Sequence, residues 1–202
     1  MHMEGEPFLK LPAEETFPGI SLLKEAQDIK ALIQLTESRN ILDYGSGKGL
    51  QYRPQRISFP GVEGEWDSVA EYWDVDNVTC YDPAFAPFSE FPTGTFDGVI
   101  STDVLEHCAE TDLPWILDEL FGLAQRFVYL SVAGHPARKR LPNGENAHCT
   151  VQPLHWWRDL VLARSSSRPD VLWTLKYWGD RMQKSVLSYD GKSLHEHLFE
   201  GS

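Results

Sequence analysis

The residue types able to do chemistry fall into three short stretches, Ile41–Gly49, Tyr81–Pro83 and Phe96–His107. The first reads Ile-Leu-Asp-Tyr-Gly-Ser-Gly-Lys-Gly. An apolar run ends in an acid and passes into a glycine-rich turn. In an open parallel sheet, ligands bind at the carboxyl ends of the strands. Glycines there let the chain turn tightly and let a ligand approach the main chain. Asp43 sets a carboxylate beside that turn, which suits a cationic or amine-bearing ligand. A phosphate-binding loop would need Ser or Thr after Lys48, and Gly49 stands there instead. A dinucleotide fingerprint would need a glycine where Leu50 stands, and the preceding acid repels a pyrophosphate. A plain strand-to-helix turn also fits the glycines.

In the second stretch, Asp82 closes another apolar run. An acid at that place can accept hydrogen bonds from both hydroxyls of a ribose. Asp-Pro also starts turns. The third stretch, Phe-Asp-Gly-Val-Ile-Ser-Thr-Asp-Val-Leu-Glu-His, delivers polar residues to the same sheet edge.

Together the three stretches resemble the class I, Rossmann-like methyltransferases that use S-adenosylmethionine. The resemblance rests on LDYGSGKG, YDP and FDGVISTDVLEH and covers residues ~21–190. It implies an S-adenosyl-L-methionine site in which Gly45 and Gly47 pass close to the methionine part. It implies Asp43 near the amino group, Asp82 on the ribose, and Asp103 and Val104 at the methionine end. Tyr44, Ser46 and Pro83 complete the implied cofactor set. The chain departs from the family pattern in two places. The gap from Gly49 to Asp82 is long. Residues 84–95 offer only Ser89 and Glu90 where a third strand and its adenine-contacting acid would stand, so that strand reads as abbreviated.

A sulfonium methyl donor is already activated, so an aligned nucleophile suffices and a general base is optional. His107 is one candidate base; the resemblance equally places it beside the cofactor at a helix start. His148, in Asn-Gly-Glu-Asn-Ala-His, is the other; the competing reading is a polar loop holding its own backbone. Arg138, Lys139 and Arg140 form a basic cluster that could hold a carboxylate or phosphate of the acceptor, or be a solvated loop. Asn146 and His148 join Arg138 and Lys139 as candidate substrate residues. Arg53 and Arg56 could face the same pocket. Trp66, Tyr72 and Trp73 could form a lid, with core packing as the default. No metal site is expected.

The elements that must position these residues are set by periodicity. Strands are expected at Asn40–Tyr44, Val78–Tyr81, Phe96–Ser101, Phe127–Val132, Val171–Trp178 and Lys184–Tyr189, the last two as an antiparallel pair. Helices are expected from Ser21, as cap, to about Ser38–Asn40, over Leu113–Leu123, and over Leu154–Ala163 behind Pro153. Adjacent Trp156 and Trp157 cannot share a helix face, so at most one is core. Strand–helix alternation predicts an α/β domain over 21–202 with a mostly parallel sheet and a C-terminal antiparallel hairpin, after an irregular arm at 1–20.

Composition bounds the partners. The chain has 202 residues, 42% hydrophobic and 24% charged, with a net charge of -12. That charge argues against nucleic acid, whose binders present a basic face. No apolar run is long enough to span a membrane. The three cysteines form no metal or disulfide pattern and, with a non-secretory N-terminus, point to the cytoplasm. The expected activity is methyl transfer to a small, anionic acceptor. The alternatives are a cofactor-binding regulatory partner, or a non-methyl user of the cofactor such as a lyase.

Overall fold

In the computed structural model, which describes residues 20–141, 143–180 and 184–199, apolar alternation along the strands builds one seven-stranded sheet. Its strands are β1 (Asn40–Tyr44), β2 (Asn77–Tyr81), β3 (Phe96–Thr102), β4 (Ala124–Ala133), β5 (Leu172–Trp178), β6 (Lys184–Tyr189) and β7 (Leu194–Phe199). Spatial order is β2-β1-β3-β4-β5-β6-β7. Pairings from β2 through β5 are parallel, and β5–β6 and β6–β7 are antiparallel. The fold is α/β and mostly parallel, compatible with a Rossmann-like architecture.

Successive strand residues point to opposite faces and enter different cores. Ile41, Ile100, Phe127 and Tyr129 pack with helices α1 (Ala26–Thr36) and α2 (Val69–Trp73). Leu42, Val99, Val128 and Leu130 pack on the other face with α3 (Leu113–Leu123) and α4 (Leu154–Ser165). Trp157 is fully buried there, while Trp156 is only partly buried.

Three details differ from expectation. Ser21 does not cap α1; Ile20–Lys24 forms a 3-10 turn, and α1 begins after Glu25. The reason is that the Glu25 side chain is drawn into a buried ion pair with Lys176 and accepts the Tyr129 hydroxyl at 2.7 Å. Between β2 and β3 there is no strand at all, only the 3-10 turn Ala86–Phe88, so β2 is the sheet edge. The hairpin gains β7, introduced by a turn in which Asp190 accepts the Lys192 and Ser193 N–H groups. The expected arm at 1–20 lies outside the described residues apart from Ile20. Among the described residues, no helix is long and apolar enough to cross a membrane.

Candidate functional site

The chain runs from β1 to β2 on one side, then returns to pair β3 with the other side of β1. That reversal opens a crevice at the carboxyl ends of β1 and β3, where α/β sheets take ligands. A cleft of about 1350 Å³ lies there. A drug-sized ligand occupies a pocket of roughly 300–1,000 Å³, so this volume exceeds what one such ligand needs.

One end of the cleft is the glycine turn. The Gly45 and Ser46 N–H groups both donate to the Tyr81 carbonyl, at 2.7 and 3.1 Å. Gly45 has φ 86°, and a Cβ there would lie 2.3 Å from Val104 Cγ2. The glycine is therefore demanded by the tip of β3 as well as by the turn. Gly47 has φ 59°, and its N–H donates to Asp82 Oδ2 at 2.9 Å. Asp82 Oδ1 accepts the Ala84 N–H, also at 2.9 Å. Asp82 thus ties the β2 tip to the turn while lining the cleft.

Asp43 is buried beneath the turn. Its Oδ2 accepts the Tyr52 hydroxyl at 2.9 Å and the Gln51 amide at 3.2 Å. Burial pushes the carboxyl up to about 7, with the Asp82 charge adding and the two hydrogen bonds opposing. It is a carboxyl that an incoming cation would ionise. Gln51 and Tyr52 were hidden from sequence reasoning because they sit in a short 3-10 turn inside an aperiodic stretch.

The other end is built by the segment just after β3. Asp103 turns the chain with φ 55°, and its N–H is held by the Ser131 carbonyl at 3.0 Å. A non-glycine residue in that region is strained and persists only where its surroundings enforce it. The 3-10 turn Leu105–His107 then lays Glu106 and His107 on the cleft wall. Glu106 is fully buried; its Oε1 accepts the Ala133 N–H at 2.9 Å. Burial first, and the Asp103 charge second, push its carboxyl up to about 8.

His107 Nδ1 lies 2.8 Å from the Ala147 carbonyl, and His148 Nδ1 lies 2.6 Å from the His135 carbonyl. A carbonyl only accepts, so both Nδ1 atoms carry hydrogen and each Nε2 is the basic nitrogen. Burial lowers the pKa of both rings, which keeps them neutral. The two rings meet edge to face at 4.8 Å. Both candidate bases thus stand together.

Arg138 and Lys139 line the same end. Arg140 turns away and donates to the Gly144 carbonyl. Asn146 does not line the cleft. It braces the loop: Oδ1 accepts the Ala137 and His148 N–H groups, and Nδ2 donates to the Ala137 carbonyl. Arg53 is exposed, and Arg56 is exposed and pairs with Glu65. Trp66 and Tyr72 stack with Phe59 in the core rather than forming a lid, and Trp73 donates to the Ala26 carbonyl. Ser89 and Glu90 stay outside the cleft lining. Tyr44, Ser46, Pro83, Asp103 and Val104 all lie on it, and Trp115 and Trp178 add aromatic walls. Among the described residues, no three His, Cys, Asp or Glu side chains are grouped to hold a metal ion.

No family model matches the chain, and neither a curated protein nor a solved structure does.

Proposed function

We propose that the protein binds S-adenosyl-L-methionine and transfers its methyl group to a small acceptor bearing a negative charge. The observation that carries this reading is the two-ended cleft. Asp43, the glycine turn and Asp82 form one end, and His107, His148, Arg138 and Lys139 form the other.

The residues present fit the cofactor. Asp43 is a buried carboxyl whose proton a ligand ammonium would displace, a reason for placing it in a dry site. Asp82 lines the cleft at the tip of β2, where a carboxylate can receive ribose hydroxyls. When bound, the cofactor supplies an electrophilic methyl on a sulfonium. At the other end, Arg138 and Lys139 attract an anionic group of the acceptor. The imidazoles of His107 and His148 present basic Nε2 atoms able to take a proton from its nucleophile. Asn146 holds the loop that carries His148, so the base is positioned before the acceptor arrives.

Calorimetric titration with S-adenosylmethionine and S-adenosylhomocysteine tests the cofactor half. Absence of binding to both ends the reading. Mass analysis of turnover on a panel of hydroxy and amino carboxylic acids tests the transfer half. S-adenosylhomocysteine with a methylated acid is the expected product pair. Tight binding without product would make the chain a non-catalytic binder, and a fragmented cofactor would make it a lyase.

A further inference from the structure

Among the described residues, three side chains lining the cleft carry a buried polar atom with no hydrogen-bond partner, Ser46, Gln51 and Glu106, and only that of Glu106 belongs to a carboxyl group. Glu106 is held at three points. Its carbonyl accepts the Thr150 N–H at 3.0 Å, its Oε1 accepts the Ala133 N–H at 2.9 Å, and its backbone lies in the 3-10 turn after β3. The side chain is completely buried, and Oε2 has no hydrogen-bond partner among the described residues. A buried carboxyl oxygen left unpaired is costly, so native folds keep one where something else completes it. Here that place is a cleft wall beside Asp103 and His107.

We propose that Glu106 is the acceptor-recognising residue: its Oε2 hydroxyl donates a hydrogen bond to an oxygen of a small hydroxy acid lying between Trp115, Trp178 and the paired histidines. This deepens the methyl-transfer reading and rests on it for the word acceptor. Oε2 is the donor because the surroundings oppose a negative charge on this side chain. It is dry, and the Asp103 carboxylate is its neighbour; together these outweigh the backbone N–H groups of Glu106 and Ala133, which favour the charge. Oε1 is occupied as an acceptor, so the proton resides on Oε2. A neutral acid in a cleft binds an oxygen that a carboxylate would repel. Arg138 and Lys139 supply the counter-charge for the acid group, and the neutral rings of His107 and His148 accept from its hydroxyl. One ligand chemistry, a hydroxyl next to a carboxylate or carbonyl oxygen, satisfies all of these groups.

Infrared difference spectroscopy on the full chain tests this, with salicylate, benzoate and lactate as probes and no cofactor present. The wild type should show a protonated-carboxyl stretch that is absent from Glu106→Gln, and salicylate should shift it. Salicylate affinity should survive Glu106→Gln, which keeps a donor. It should fall about tenfold in Glu106→Leu, the loss of one hydrogen bond. The proposal is overturned if no such band is assigned to Glu106, or if none of the three probes moves it. It is equally overturned if Mg²⁺ or Mn²⁺ abolishes the band by ionising the side chain as a ligand. Asp43 is the other carboxyl pushed up by burial, so a band that persists in Asp43→Asn and shifts with salicylate is assigned to Glu106 even where Glu106→Gln does not fold. Because no cofactor is added, its outcome is separate from that of the calorimetry on S-adenosylmethionine.

Discussion

Val104 sits against the Cα of Gly45 so closely that a methyl group there would lie 2.3 Å from Val104 Cγ2 and 2.7 Å from Cγ1. The tips of β1 and β3 are therefore packed against each other at the floor of the cleft, and two demands fall on one glycine. Gly45→Ala should lose about 1 kcal/mol for its positive φ and about 1–3 kcal/mol for overpacking. Val104→Ala in the same background should recover the overpacking part and leave the φ part. Urea denaturation of the four-member cycle should give a coupling energy above about 1 kcal/mol. Additive losses would mean that the turn yields instead of clashing.

Under the proposed function, the carboxyl of Asp43, pushed up to about 7 by burial, should give S-adenosyl-L-methionine binding a pH signature. A ligand ammonium stabilises the ionised form, so binding expels the proton that the free protein holds. Affinity for S-adenosylhomocysteine should rise with pH, by up to about tenfold per unit below the carboxyl's pKa, and level off above it. Calorimetry in buffers of different ionisation enthalpy should register proton release below neutrality. Asp43→Asn should bind more weakly and lose the pH dependence. A flat wild-type profile would remove Asp43 from the ammonium site.

Strands and long helices were legible because their periods are local. Leu113–Leu123 and Lys184–Tyr189 appear with the expected bounds. The glycine turn and the tips of β2 and β3 were legible because parallel strands deliver their carboxyl ends to one edge, and the structure brings Asp43, Asp82 and Asp103 to one cleft. What was hidden depends on contacts distant in sequence. Glu25 reads as an ordinary first-turn acid until Lys176, far along the chain, is folded against it. Asn146 reads as a substrate residue until Ala137 engages its amide. Gln51, Tyr52 and Glu106 carried no period, and only burial marks them out. β7 was missed because Leu194–Phe199 sets polar residues among few apolar ones, although Asp190-Gly191 is a turn signal.

Global stability should fall as pH rises, through Glu106. A carboxyl whose folded pKa is raised to about 8 binds its proton more tightly in the fold than in the unfolded chain. Its contribution is complete below the ordinary Glu range and is lost as pH climbs through the raised value. The span amounts to at most about 5 kcal/mol between about pH 4.5 and 8. Denaturant midpoints collected across that range should slope downward in the wild type, and Glu106→Gln should flatten the slope. An unchanged slope in the variant would assign the effect to other groups, Asp43 first among them.

Lys176 and Glu25 are each 2% exposed and form an ion pair that joins β5 to the start of α1. Asp28 supplies a second carboxylate to the ammonium at 2.8 Å, and the Trp178 indole N–H reaches Glu25 at 3.2 Å. Removing one member leaves a buried charge without its partner. Lys176→Met should therefore cost about 3–5 kcal/mol, and the double variant Glu25→Gln, Lys176→Met should cost less than that single one. Thermal and urea unfolding measure both. A double variant as unstable as the sum of its singles would show that the two charges act independently.

Asn146 separates loop bracing from acceptor contact, because its amide faces backbone on both sides. Oδ1 accepts the N–H groups of Ala137 and His148 at 2.9 Å each, and Nδ2 donates to the Ala137 carbonyl at 2.8 Å. Asn146→Asp preserves the shape and the accepting oxygen but turns a second oxygen onto the Ala137 carbonyl. That one inverted contact should weaken the loop by about 1–3 kcal/mol. Amide exchange at Ala137 and His148 should accelerate, because the brace governs their local opening. Cofactor affinity should hold, since Asp43 and the glycine turn lie at the other end of the cleft. Turnover should fall together with the ordering of His148, and unchanged exchange at both amides would return Asn146 to the acceptor itself.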